Sequence, residues 1–237
     1  GDFERTTELD KPAATAVLEA GPVRWRIRDT YRWDKSTIMQ DTIRYADRRR
    51  VDFDTSVEWL QIGNKDAGGP MLKVAFPTDI GCDAAAYDIP FGDVSRPTDG
   101  HENVALKWCA VAGEGRNVAV LNDCKHAYDV KNGTIRLTLL RSSYDPDPTP
   151  DVGMHHMRYA LLPQDGTLDK AAVARAAWEF NKPMRAILVD RPSADRATLP
   201  AAWSGCTVEP PDVVLTCLKR AEDSDDFILR AYECAGM

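Results

Sequence analysis

Period-2 alternation constrains this chain more than any other pattern in it. Val23, Trp25, Ile27, Asp29, Tyr31 and Trp33 alternate with Arg24, Arg26, Arg28, Thr30 and Arg32. One face of an extended segment is therefore largely aromatic and aliphatic while the other carries guanidinium groups. Val51, Phe53, Thr55, Val57 and Trp59 repeat the pattern against Asp52, Asp54, Ser56 and Glu58. Both segments read as half-buried antiparallel strands. They are expected to be near neighbours, with the arginine face beside the acidic one as cross-strand ion pairs.

Further strands are expected over 72–76, 87–91, 106–111, 117–122, 134–140, 155–162, 213–219 and 227–233. Lys131-Asn132-Gly133 supplies the positive-φ residues of a tight hairpin. The run Tyr144-Asp145-Pro146-Asp147-Pro148-Thr149-Pro150 lacks the N–H groups a ladder needs and is expected as a stiff exposed loop. One helix is expected over 168–180, capped by Thr167, with Ala172, Val173, Ala176, Ala177 and Phe180 on one stripe and Asn181-Lys182-Pro183 ending it. Residues 189–204 read as a loop. Many antiparallel strands around a single helix make an all-β chain, a large antiparallel sandwich.

With 237 residues and 43% hydrophobic content, the chain is long enough to fill the core of one such domain, expected to span 1–237. Thirty basic against thirty-seven acidic residues leave a formal charge of −7, which repels a phosphate backbone and argues against nucleic acid as a partner. Arg48-Arg49-Arg50 reads as a polar turn, since no aromatic platform is interleaved with it. No apolar run approaches a membrane span, and the first residues lack the apolar stretch of a signal peptide. Six cysteines without Cys-x-x-Cys spacing read as reduced thiols. Together these features lead to the expectation of a cytoplasmic, membrane-free setting.

Polar residues concentrate between Leu121 and Leu161. Asn122, Asp123 and Lys125 end an apolar strand, and their donors and acceptors suit sugar hydroxyls. The competing reading is a self-satisfied turn in which Asp123 caps backbone N–H groups and pairs with Lys125. His155 and His156 are adjacent, so on a strand their rings point to opposite faces and cannot share a metal ion.

The block Leu121-Asn122-Asp123-Cys124-Lys125-His126-Ala127-Tyr128-Asp129-Val130, then Leu140-Arg141-Ser142, the Pro/Asp loop and His155-His156-Met157-Arg158-Tyr159-Ala160-Leu161, resembles the C-terminal β-region of the glycoside hydrolase family 38 α-mannosidases, above all the cytosolic and bacterial branch. Gly21-Pro22-Val23-Arg24, Lys73-Val74-Ala75-Phe76-Pro77, Tyr87-Asp88-Ile89-Pro90-Phe91-Gly92 with Arg96-Pro97-Thr98, and Leu229-Arg230-Ala231-Tyr232-Glu233 follow in the family's order. The resemblance runs from about Ala20 to the end and leaves 1–20 as a lead-in segment. His126 stands where the family has Tyr, and His156-Met157 where it has Glu-Phe.

The resemblance implies a twisted super-sandwich similar to galactose-mutarotase folds. It implies that the nucleophilic Asp and a zinc ion belong to an N-terminal catalytic barrel, so that this chain is a fragment, with no catalytic residue, metal site or cofactor of its own. The expected partners are that barrel and a mannose-containing oligosaccharide. The family sends an aromatic towards the active site from the segment matching Tyr87, so Tyr87 is either a sugar contact or core. Arg96 is either a pocket residue or half of a loop ion pair. His155 matches the family's histidine and either orients the loop or contacts sugar. Two rival functions remain. A freestanding carbohydrate-binding module would show a concave face with several aligned exposed aromatics, and a mutarotase-like epimerase would show His126, His155 and His156 facing a common cleft with a Glu or Asp.

Overall fold

The computed structural model describes residues 6–66, 68–188 and 200–236. In chain order its strands begin with β1 (Ala14–Ala20), β2 (Arg24–Trp33), β3 (Ser36–Tyr45), β4 (Val51–Trp59) and β5 (Met71–Pro77). Then come β6 (Ala84–Ile89), β7 (Gly92–Pro97), β8 (Asn103–Val104), β9 (Trp108–Ala112) and β10 (Arg116–Asn122). β11 (Ala127–Lys131), β12 (Thr134–Arg141) and β13 (Gly153–Asp165) precede the helix α1 (Lys170–Asn181), and β14 (Val213–Arg220) and β15 (Phe227–Glu233) follow it.

Among the described residues these strands form antiparallel sheets of nine, four and two strands. Their orders are β1-β2-β3-β4-β13-β10-β9-β6-β7, β5-β12-β11-β8 and β14-β15. The described residues thus form the large β-sandwich with one helix that the patterning implies.

The two larger sheets face each other across one core. Tyr87, Cys109, Val111, Val120, Met157 and Tyr159 come from the nine-stranded sheet and meet Phe76, Tyr128, Val130, Ile135 and Leu137 from the four-stranded one. Alternate residues of the same central strands, Trp108, Ala110, Ala119, Leu121 and Ala160, point the other way and are covered by Val173, Ala177 and Phe180 of α1. Burial on both faces explains why β9 and β10 read as continuous apolar runs rather than alternating ones.

The turn at Asn132 and Gly133 has the expected positive φ values of 50° and 71°. A Cβ on Gly133 would sit 2.7 Å from the Ile80 carbonyl oxygen, so both conformation and space demand glycine there.

Several sequence expectations are corrected. β2 and β4 are not neighbours, because β3 pairs with both. The arginine face therefore meets Asp41 of β3: Arg28 Nε donates to its Oδ1 at 2.6 Å and Arg26 Nε to its Oδ2 at 2.7 Å. The lead-in segment contains β1, which pairs along β2 from Ala14↔Thr30 to Ala20↔Trp25. The strand at Tyr87 stops at Ile89, turns through Phe91 at φ 61°, and returns as β7, so Arg96 lies on a strand rather than in a loop. The helix cap is Asp169, whose Oδ1 accepts the Ala172 N–H at 2.8 Å, two residues beyond Thr167. The loop reading for 189–204 falls largely on 189–199, outside the described residues.

Candidate functional site

β10 delivers the Asn122-Asp123-x-Lys125 turn to the end of the nine-stranded sheet, beside the C-terminal end of α1. Asn122 is fully buried. Its Nδ2 donates to the Leu106 carbonyl at 3.1 Å and to the Tyr128 hydroxyl at 2.7 Å, its Oδ1 accepts the Lys125 N–H at 2.8 Å, and its carbonyl accepts from Asn181 Nδ2 at 2.9 Å. The side chain closes the turn and pins the end of α1.

Asp123 does not pair with Lys125. Its Oδ1 accepts the Arg158 backbone N–H at 3.0 Å and its Oδ2 the Arg158 Nε at 3.0 Å, while the Arg158 guanidinium lies 5.3 Å from the centre of the Phe180 ring. Lys125 is half-buried, and among the described residues its ammonium meets no carboxylate within salt-bridge distance. His126 Nδ1–H donates to the Leu106 carbonyl at 3.1 Å.

Tyr87 is not on this surface. It lies on β6 opposite Cys109, fully buried between the two large sheets, with the Arg96 guanidinium 5.4 Å from its ring centre. Its hydroxyl lies near the Cys109 thiol and the Asn103 side chain but makes no hydrogen bond of normal geometry, and burial raises its pKa far above the ordinary tyrosine value. Arg96 also donates from Nη1 to the Val104 carbonyl at 2.9 Å. Tyr87 and the turn residues Asn122, Asp123 and Lys125 therefore do not share one exposed face. Tyr87 and Asn122 belong to the interior because alternation turns Tyr87 towards the second sheet and the Leu106 carbonyl captures Asn122.

His155 Nε2–H donates to the Asp151 carbonyl at 2.7 Å, and Asp151 Oδ2 accepts the Arg141 N–H at 3.1 Å. The loop is clamped at its other end by Ser142, whose Oγ accepts from Trp59 Nε1 at 2.6 Å and donates to the Gln61 carbonyl at 2.8 Å. His156 stands on the opposite face and bonds Asp54 at 2.6 Å. The three histidines thus have separate partners and share no cleft. Of the exposed aromatics among the described residues, Trp25, Phe91, Tyr144, Trp203 and Phe227, no two share a strand.

Besides Asp41, the sequence reading did not single out the buried carboxylates Asp129 and Asp88. Asp129 is wholly buried between Lys73 Nζ at 2.7 Å and the Arg136 guanidinium at 2.5 Å, and Lys73 also reaches Glu102 at 2.8 Å. Asp88 is 2% exposed and bonds both the backbone N–H and the Nζ of Lys107, at 2.8 and 2.9 Å. Burial raises the Asp88 pKa, and Lys107 only partly opposes it. The available signal was an acid inside an apolar strand, as in Tyr128-Asp129-Val130.

Asp41, Asp88, Asp123 and Asp129 are thus each matched to cations. Among the described residues no group of three or more His, Cys, Asp or Glu side chains is placed to hold a metal ion. No described helix is long and apolar enough to cross a membrane.

The family model for the glycosyl hydrolases family 38 C-terminal domain matches residues 2–149. The chain belongs to glycoside hydrolase family 38. A second model, the glycosyl hydrolases family 38 C-terminal beta sandwich domain, matches residues 212–237 of this family 38 chain. "Alpha-mannosidase 2C1" of Homo sapiens is 36% identical over 199 residues, covering 78% of this chain and 18% of that protein. "Alpha-mannosidase G" of Dictyostelium discoideum is 30% identical over 246 residues, covering 96% and 22%. The chain therefore spans about a fifth of the length of these relatives. A crystal structure of an alpha-mannosidase from Enterococcus faecalis V583 superposes over 93% of this chain and 29% of its own with a TM-score of 0.74; at 16% identity this likeness speaks for the fold.

Proposed function

We propose that this chain is the C-terminal β-region of an α-mannosidase that cleaves terminal α-linked mannose with retention. In this reading residues 1–237 act as one unit that buttresses a separate N-terminal catalytic barrel and lends polar groups to the rim of its pocket. The observation that carries the reading is the family 38 match through 2–149, joined to relatives named as α-mannosidases of which this chain covers about a fifth.

The geometry divides the labour. Lys125 and Asp123, at the turn, offer a cationic donor and an acceptor to sugar hydroxyls. Asn122 and Arg158 position them, Arg96 is braced over Tyr87, and His155 holds the proline-rich loop. The donor set here does not fit zinc: His155 bonds a backbone carbonyl and His156 sits on the other face of the sheet. The zinc that the family resemblance implies is assigned to the barrel. Six unpaired cysteines support a reducing, cytoplasmic setting.

The test is Lys125→Ala in the parent enzyme. Loss of a transition-state contact is expected to lower kcat/KM about tenfold, or about 1.4 kcal/mol, without shifting the melting temperature of this chain. Unchanged kcat/KM would remove Lys125 from the pocket.

A further inference from the structure

The ladder between β6 and β9 is short. It pairs Ala86↔Ala110 and Tyr87↔Cys109, so the peptides of Leu106 and Lys107 lie beyond its last rung. Their N–H groups are both taken up by Asp88: its carbonyl accepts from Leu106 at 3.0 Å and its Oδ2 from Lys107 at 2.8 Å. The same Oδ2 accepts Lys107 Nζ at 2.9 Å. Alternation aims this side chain: Tyr87 turns into the core between the sheets, so Asp88 turns to the face that α1 covers. There the Lys107 ammonium lies 4.7 Å from the centre of the Trp178 ring, and Trp178 Nε1–H donates to the Tyr232 hydroxyl of β15 at 3.0 Å.

The segment that Asp88 holds is the one from which the Asn122-Asp123-x-Lys125 turn hangs. The Lys107 carbonyl accepts the Asn122 N–H at 2.9 Å, and the Leu106 carbonyl accepts Asn122 Nδ2 and the His126 Nδ1–H, each at 3.1 Å. The Ala105 N–H donates to the His126 carbonyl at 2.9 Å. Residues 105–107 thus grip both ends of the turn, with Asp123 and Lys125 between the grips. Keeping a charge on Asp88 works against the fold. Burial raises its pKa and Lys107 only partly opposes this, so the folded form binds a proton there more readily than the unfolded one. The stability this group lends is present below the ordinary carboxylate range and is lost as pH rises through the raised folded value. At neutral pH its charge is a cost, which suits a task other than holding the fold together.

The geometry points to Asp88 as a positioning residue for Asp123 and Lys125, acting through the Leu106 and Lys107 peptides that hold Asn122 and His126. Its effect on turnover rests on the proposed reading of this turn as part of a sugar pocket; its hold on the turn does not.

The test is Asp88→Asn in the full polypeptide that carries this chain. Asparagine keeps the volume and one acceptor but removes the charge that holds Lys107. Amide hydrogen exchange, read by mass spectrometry, is expected to speed about tenfold over 104–108 and 121–127 and to stay unchanged over β12, with no fall in melting temperature at pH 7. With an aryl α-mannoside, kcat/KM is expected to fall about tenfold. Added to the pair Asp123→Ala and Lys125→Ala, the same substitution is expected to change kcat/KM by less than about twofold, since it acts through those two residues. Unchanged exchange at the turn would overturn the inference and leave the proposed function standing. Faster exchange throughout, with a lower melting temperature, would make Asp88 a general support of the fold and overturn it too. So would a further loss of about tenfold on top of the paired substitutions. Faster exchange confined to the two segments, with kcat/KM indifferent to Asp88→Asn and to Lys125→Ala, would keep Asp88 as the residue that positions the turn and remove the turn from the pocket.

Discussion

Asn122 shows how a polar side chain survives at the buried end of an apolar strand. Its Nδ2 and Oδ1 are all matched, to the Leu106 carbonyl, the Tyr128 hydroxyl and the Lys125 N–H. Asn122→Ala would leave those groups dry and unpaired, and is expected to lower stability by about 2–3 kcal/mol in urea denaturation. Lys125→Ala is expected to stay within about 0.5 kcal/mol. Asp41 predicts a pH dependence. Its hydrogen bond to Arg28 holds its carboxyl below the ordinary value against the opposing effect of burial, so the folded form binds a proton less readily than the unfolded one. The stability it contributes is present above the ordinary carboxylate range, about pH 4, and is lost as pH falls through the lower folded value. Melting temperature measured between about pH 6 and 3 should fall less steeply in Asp41→Asn than in the parent sequence.

At the scale of elements, α1 ties the sandwich to the C-terminal hairpin. Phe180 is 4% exposed and is flanked by the Arg50 and Arg158 guanidinium groups at 5.0 and 5.3 Å. Phe180→Ala is expected to cost about 3 kcal/mol through the cavity and the lost ring contacts. Asp169→Ala should cost about 1 kcal/mol through the lost cap. Calorimetry on the two variants checks both values, and equal losses would mean that the helix is held by its cap rather than by its packing. The apolar stripe of α1 was legible because its spacing repeats locally. β3 was not legible: in Ser36-Thr37-Ile38-Met39-Gln40-Asp41-Thr42-Ile43-Arg44-Tyr45 both faces mix polar and apolar groups, because one face meets the core only at Ile38 while the other turns Asp41 to the arginines of β2. β1 was hidden for a related reason, as an edge strand exposed along nearly its whole length.

For the whole molecule, the expected outcome is that this chain alone, with added zinc, does not hydrolyse aryl α-mannosides. Turnover that survives repurification and is lost on mutating an acid of this chain would refute the supporting role. Of the candidate site, the turn and the loop-holding His155 were visible in advance. The core position of Tyr87 was one of two readings left open, and the pairing of Asp123 with Arg158 was not foreseen. The chain read alone settles where strands, tight turns and the helix arise, since alternating side-chain direction, the positive φ at Asn132 and Gly133, and the stripe on α1 are properties of neighbouring residues. Which acid meets which cation, and which polar group is sealed from water, depends on strand order and register. Asp129 meets Lys73 across 56 positions and Asn122 is bound by Asn181 across 59, so those partnerships exist only once the sheets and the helix have closed over each other.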